Sequence, residues 1–502
     1  MSPEYVLALD QGTTSSRAIV FDRAGQPVAT AQQEYPQGYP SPGHVTHDPA
    51  DIWHSQLAVA REATAAVPGG VANVAALGIA NQRETTIVWD RATGAPVAPA
   101  IVWQSRITAE RCARIRAPGH EPRVRALTGL PLDAYFSGPK IAHILDTEPG
   151  LRARAEAGEL CFGTVDSFLV WRLTEGRQHV TDVSNASRTL LYDITERRWD
   201  PWLCEIIGVP MAMLPQVRPS SALLGETEAA LLGASIPIAG VAGDQQAATF
   251  GQACLSPGSA KNTYGTGAFA LLNTGSRPVA SKHGLLSTIL WQLGEDGQAA
   301  YALEGSVFAA GAAVRWLRDG LRIIQQSSDV EHLAARGDRA SGVVVVPAFV
   351  GLGAPHWDPD ARGTILGLTL GSRAEDVALA TVDAMAYQVA DVVGAMALDA
   401  GGGMGTLRVD GGAAVNDALL QFQADILGIP VERPQVTETT ALGAAFLAGL
   451  ATGFWSSIEE IASTWQLERR FEPLMDLAEC DRLLARWRRA VERSKGWAAD
   501  EA

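Results

Sequence analysis

Two short glycine–threonine loops constrain this chain more than anything else in it. Asp10-Gln-Gly-Thr-Thr-Ser-Ser-Arg17 lies between strand-like runs at 5–9 and 17–21, and Asn262-Thr-Tyr-Gly-Thr-Gly267 leads into another at 268–272. They stand about 250 residues apart. Gly12 and Gly265 remove side chains from the turns, so the amides and hydroxyls that follow can approach an anion closely. A β-turn-β device in each half predicts two related α/β domains holding one polyphosphate between them, and so phosphoryl transfer. Either loop alone reads more simply as a hairpin; the pair, with Asp410-Gly-Gly412 after a third strand, carries the inference.

A chain of 502 residues is too long for one core and predicts two to four domains. With 47% hydrophobic and 19% charged residues it is an ordinary globular sequence. A formal charge of -15 gives no support to nucleic-acid binding, which needs basic surface to neutralise phosphates. The five cysteines are dispersed and form no metal-ligand pair. No basic-then-apolar leader is visible, the apolar stretch 229–243 is too short to span a bilayer, and 343–347 reads as a buried strand. These features predict a cytoplasmic protein without membrane insertion.

Along the chain, a helix is expected at 52–65 with Asp51 as its cap. A buried strand at 75–80 ends in Asn81-Gln-Arg-Glu84, and 86–89 continues that sheet. Residues 107–230 read as mainly helical, and a strand at 237–243 delivers Asp244-Gln-Gln246 into a helix at 245–254. Leu255-Ser-Pro-Gly258 marks the expected boundary, giving an N-terminal polyol-binding and catalytic domain over 1–254 and a C-terminal nucleotide-binding domain over 255–502. The second half predicts helices at 305–319, 374–398, 416–427 and 440–450, strands at 343–346 and 406–410, and a tail of peripheral helices.

Several residues suit a small-polyol kinase. Asp10 closes a strand before the first loop, where a carboxylate can hold Mg²⁺ through hard oxygen ligands. Asp244 ends another strand and is placed to take a proton from a hydroxyl nucleophile. Arg83 and Glu84 supply donors and acceptors for a polyol, with Trp103, Phe269 and Tyr135 as walls. Taken singly, the Arg-Glu pair reads as a surface pair and the aromatics as core. The chain has no Walker-type lysine motif, leaving Arg17 and Mg²⁺ to neutralise phosphate charge.

Together these segments resemble the carbohydrate-kinase family, whose fold is of the actin/hexokinase/heat-shock-ATPase type. The resemblance runs through Leu9-Asp-Gln-Gly-Thr-Thr-Ser-Ser-Arg-Ala18, Asn81-Gln-Arg-Glu-Thr85, Tyr135-Phe-Ser-Gly138, Asn185-Ala-Ser-Arg-Thr189 and Ala242-Gly-Asp-Gln-Gln246. It continues in Asn262-Thr-Tyr-Gly-Thr-Gly267, Pro355-His-Trp-Asp-Pro359, Arg408-Val-Asp-Gly-Gly412 and Val431-Glu-Arg-Pro434. It implies two ribonuclease-H-like domains, with mixed sheets flanked by helices, around a central nucleotide cleft. It further implies ATP-dependent phosphorylation of glycerol to sn-glycerol 3-phosphate with Mg²⁺. In that reading Asp244 is the general base, and Arg83, Glu84, Trp103, Tyr135, Asp244, Gln245 and Phe269 bind the polyol. Thr13, Thr14, Ser15, Arg17, Thr266, Gly311, Gly412 and Asn416 line the nucleotide site, and Asp10 associates with the metal.

The alternatives are a kinase for another small polyol or ketose and, from a different class, a nucleotide-switching scaffold of the actin or heat-shock type. A homodimer or homotetramer is also implied. Four departures stand out. Pro139 and His143 replace a threonine and a tryptophan common in the family, and Arg315 stands where some members have a glutamine near the adenine. Ser235 stands where fructose 1,6-bisphosphate-regulated members have an arginine, which predicts weak or no inhibition by that ligand. The tail lacks a match to the surface that binds a sugar-transport regulatory protein.

Overall fold

A computed structural model describes residues 3–499. Two mixed sheets organise it. The first contains β1 (Tyr5–Gln11), β2 (Ser15–Phe21), β3 (Pro27–Glu34), β4 (Val74–Asn81), β5 (Ser221–Glu226) and β6 (Pro237–Gly243), in the spatial order β5-β6-β4-β1-β2-β3. The second contains β7 (Ala260–Tyr264), β8 (Ala268–Gly275), β9 (Leu286–Gln292), β10 (Ala299–Val307), β11 (Leu407–Asp410), β12 (Val431–Pro434) and β13 (Leu467–Phe471), in the order β9-β10-β8-β7-β11-β12-β13.

Apart from the extra edge strand β9, the two sheets repeat one pattern. In each, an antiparallel hairpin (β1–β2, β7–β8) is joined by an antiparallel third strand (β3, β10). The hairpin's first strand then pairs in parallel with β4 or β11, the next parallel strand is β6 or β12, and an antiparallel strand closes the edge. Both glycine–threonine loops are therefore the hairpin turns of equivalent strand pairs. The near-continuous apolar runs of β1, β4 and β6 follow from their central position, where both faces are covered.

Seven helices matter here: α1 (Pro49–Ala65), α2 (Ser137–Thr147), α3 (Asp244–Gly251), α4 (Gly311–Asp319), α5 (Ala374–Ala400), α6 (Asp417–Leu427) and α7 (Thr439–Ala451). The cap of α1 is Asp48, whose carboxylate accepts the Ala50 amide at 2.8 Å, not Asp51. Pro49 at the first helical position moves the start three residues upstream. Of the described helices, α5 alone is long and apolar enough to cross a membrane, and 72% of its most apolar stretch is buried. It is the core helix of the second domain.

Small residues bring α7 very close to the first sheet and to α3. A Cβ on Gly443 would lie 1.8 Å from the Ala247 carbonyl oxygen, and one on Gly78 of β4 would lie 2.1 Å from that of Ala444. The helix from the second half of the chain thus packs on β1, β4 and β6 of the first sheet, alongside α3.

Several local expectations are corrected. Ile87–Asp90 does not extend the first sheet but pairs with Leu160–Gly163 in a separate ribbon. The region 107–230 contains short strands among its helices. Residues 305–307 belong to β10, and the helix expected from 305 begins at Gly311. The tail contributes β13 to the second sheet and stacks Trp487 on Tyr387, with ring centroids 5.2 Å apart. It is part of the core.

Candidate functional site

The parallel strands β1, β4 and β6 end in one row. Gln11 is in register with Asn81, and Asn81 with Gly243. Asp10, the segment 81–84 and Asp244 consequently emerge side by side at the carboxyl ends of adjacent strands, where open α/β sheets bind ligands. Asp244 is the first residue of α3. A Cβ on Gly243 would sit 2.7 Å from the Cγ and Cδ of Arg83, so only glycine lets that arginine pass beneath the strand end.

Arg83 is buried, and its guanidinium donates to both carboxylate oxygens of Glu304 at 2.6 and 2.8 Å. Its Nε lies 3.2 Å from Asp244 Oδ1. Arg188, fully buried, donates from Nε to Glu84 Oε1 at 2.5 Å, and its Nη2 lies 3.3 Å from Glu304 Oε1. Two arginines and two glutamates thus form one buried network, with Asp244 at its edge beside Arg83. Glu304 lies on β10 of the second sheet, so this network ties the two domains together. The two arginines hold the Glu304 carboxylate at about 2 against the opposing effect of burial. Burial pushes Glu84 up, with Arg188 and then Arg83 opposing it.

Asp244 opens to the cleft, its side chain 32% exposed. Burial of its surroundings raises its pKa, opposed chiefly by Arg83. Trp103 Nε1 donates to Thr13 Oγ1 at 2.9 Å, linking the first loop to an aromatic wall. The Trp103 ring meets Tyr135 and Phe269 edge-on, with centroids 5.7 and 6.3 Å away. Arg83 lies 6.0 Å from the centre of the Phe269 ring. Arg83, Trp103, Tyr135, Phe269 and Asp244 are therefore brought together, with Glu84 behind them on Arg188. Gln245 accepts from Lys261 through its side-chain oxygen, and the same ammonium donates at 2.8 Å to Thr263 Oγ1.

The residues expected at a nucleotide are divided between the two hairpin turns. The Gly311 amide donates to the Gly265 carbonyl at 3.0 Å, and a Cβ on Gly311 would meet that oxygen at 2.7 Å. Arg315 Nη2 donates to Thr266 Oγ1 at 3.2 Å. Gly411, at φ 87°, packs on the Tyr264 backbone, beside Gly412, whose Cα faces open space. Asn416 caps α6 by accepting the Leu419 amide at 2.9 Å. In the first turn Gly12 donates to the Ser15 carbonyl at 3.0 Å, leaving Thr13 and Thr14 at its tip. Ser15 Oγ accepts from Gln32, and Arg17 pairs with Glu438, so neither stands free.

Asp10 suits a hard cation. Its carboxylate accepts no hydrogen bond from the described residues, and burial raises it to about 7, with Arg17 opposing and Asp244 and Glu438 adding to the rise. A single carboxylate without a hydrogen-bond partner fits Mg²⁺, which takes one or two protein carboxylates and fills its other positions with water and phosphate oxygens; no acidic cluster surrounds it among the described residues.

Glu304 and Arg188 escaped sequence reasoning. Arg188 lies inside the quoted Asn185–Thr189 motif but had no partner to give it meaning. Glu304 is a single acid in an apolar strand; a lone carboxylate between Leu303 and Gly305 was the available signal, since such a residue needs a buried cation.

Residues 5–251 match the N-terminal domain of the FGGY family of carbohydrate kinases, and 260–452 match its C-terminal domain. The chain belongs to this family. This FGGY kinase is 58% identical to the glycerol kinase of Chromobacterium violaceum over 502 residues, covering 100% of both chains. It is 57% identical over 500 residues to that of Symbiobacterium thermophilum, again covering 100% of each. Its fold superposes on the crystal structure of Plasmodium falciparum glycerol kinase with ADP at a TM-score of 0.90, with 34% identity and 98% of each chain covered. A xylulose kinase from Lactobacillus acidophilus, 20% identical, shares the fold over 98% of this chain and 99% of its own, with a TM-score of 0.86. The two α/β domains are thus those of the actin/hexokinase fold.

Proposed function

We propose that this FGGY kinase transfers the γ-phosphoryl group of ATP to a terminal hydroxyl of glycerol, giving sn-glycerol 3-phosphate and ADP. The observation that carries the reading is Asp244 beside Arg83, whose guanidinium also lies by Phe269 in the wall of Trp103, Tyr135 and Phe269. The relatives of similar length support the choice of substrate.

The chemistry follows from the arrangement. The Arg83 guanidinium, held by Glu304, has no freedom to swing, so it fixes the Asp244 carboxylate. A glycerol hydroxyl donates its hydrogen to Asp244, which aims the oxygen at the γ-phosphorus and accepts the proton as the new P–O bond forms. The bond from the γ-phosphorus to the bridging oxygen breaks, and ADP leaves with that electron pair. The edge-on aromatics cover the carbon backbone of glycerol and keep water away from the hydroxyl oxygen that attacks phosphorus. Amides of the two hairpin turns, with Thr13, Thr14 and Thr266, hold the phosphates from opposite sides. Mg²⁺, held by Asp10, supplies charge neutralisation at the phosphate oxygens when bound.

A three-carbon polyol satisfies this small set of polar groups, whereas a pentose would bring hydroxyls into the aromatic wall without partners. The test is an ATP-coupled assay across glycerol, dihydroxyacetone, erythritol and D-xylulose with product identification. Glycerol is expected to have the highest kcat/KM, and a higher value for any other would replace it as the substrate.

A further inference from the structure

Glu84 is the strained point of the polyol pocket. Its φ is 59°, left-handed backbone that a glutamate adopts only when its surroundings enforce it. Arg188 anchors its carboxylate, and a second force acts on the backbone of the turn. It comes through the carbonyl. Thr86 Oγ1 and Ser137 Oγ each donate to the Glu84 oxygen at 3.1 Å, and Lys140 Nζ donates to it at 3.3 Å. Lys140 Nζ also donates to the Tyr135 carbonyl at 2.7 Å.

Building on the glycerol-kinase reading, we propose that Lys140, assisted by Ser137, is a positioning residue for the polyol site. It pins Glu84 in its left-handed turn and fixes Glu84 against Tyr135, so the pocket is shaped before substrate arrives. Both residues lie on the first turn of α2 and are fully buried. The helix therefore acts as a rigid bracket between two polyol-facing segments separated by 51 positions, from Glu84 to Tyr135.

A buried lysine without a facing carboxylate oxygen is costly as an ammonium. Burial lowers Lys140 to about 7, with Glu84, Asp133 and Cys112 opposing and Arg106 reinforcing the fall. As a neutral amine it has two N–H bonds and two carbonyl acceptors, leaving no donor unpaired. A lysine kept for packing alone would be better replaced by methionine. The two carbonyls explain the amine.

The test compares Lys140→Met and Ser137→Ala with the native enzyme in steady-state kinetics for glycerol and ATP, with thermal melts. Lys140→Met is expected to raise the glycerol KM about tenfold or more, with the ATP KM within about twofold. Ser137→Ala is expected to shift the glycerol KM in the same direction by about threefold. Unchanged glycerol KM in Lys140→Met, or equal shifts for both substrates, would overturn the proposal. Should Lys140→Met fail to fold, Ser137→Ala decides: a native melt with an unchanged glycerol KM overturns it. The native enzyme separates the two failures. If it phosphorylates no glycerol, the functional reading falls, whereas active native enzyme with unshifted variants removes only the bracket.

Discussion

Replacing Glu304 with glutamine tests whether the two domains are joined through the buried arginine–glutamate network. The native network balances Arg83 and Arg188 against Glu84 and Glu304, all essentially excluded from solvent. Glutamine keeps the shape and one acceptor but leaves one buried cation uncompensated. Breaking one side of a buried pair costs about 3–5 kcal/mol, and the retained acceptor places this variant near 3 kcal/mol. The titration of Glu304 points the same way. A fall from 4.5 to about 2 corresponds to about 3 kcal/mol favouring the ionised form. The sign follows from a depressed folded-state pKa: the stabilisation is complete above 4.5 and is lost as pH falls toward 2. Urea unfolding of native and Glu304→Gln protein should therefore differ by about 3 kcal/mol at neutral pH, with the gap narrowing below pH 4.5. Because Arg83 would be released from its anchor, the glycerol KM should also rise. A neutral-pH difference below about 0.5 kcal/mol, or a gap unchanged in acid, would refute the reasoning.

Other outcomes follow from single contacts. Gly443→Ala places a Cβ 1.8 Å from the Ala247 carbonyl oxygen, so separation of α3 from α7 should cost about 3 kcal/mol or more; a melt within a degree or two of native would contradict it. Trp103→Phe removes the bond to Thr13 while keeping an aromatic wall, and should lower kcat/KM for glycerol by about five- to tenfold; no change would show that the link is idle. Ser235 donates to Glu226 at 3.0 Å and contributes no cation to its loop, so sub-millimolar fructose 1,6-bisphosphate should leave activity unchanged, and strong inhibition in a dose series would contradict this.

The legible part of the fold was local. Buried runs ending in polar residues placed β1, β4 and β6, and the rule that ligands gather at carboxyl ends of parallel strands made Asp10, Arg83 and Asp244 candidates. What stayed hidden depends on distant partners. Thr86–Trp89 is rich in β-branched and aromatic residues like a strand, but nothing nearby says it will pair with Leu160–Gly163. Asp48 and Asp51 are equally good caps by residue type, and Pro49 decides between them. Glu304 meets Arg83 across 221 positions of sequence, so no window around either residue contains the pair. The left-handed turn at Glu84 was invisible for a similar reason: turn signals are carried by glycine and asparagine, while this glutamate is held by α2.

In the proposed mechanism phosphoryl transfer depends on the Asp244 carboxylate, and isothermal binding combined with single-turnover kinetics on Asp244→Asn examines it most directly. The variant is expected to bind ATP with near-native affinity and to transfer phosphate to glycerol at least about a thousandfold more slowly. Native-like transfer by the asparagine variant would contradict the assignment of Asp244 as the proton acceptor.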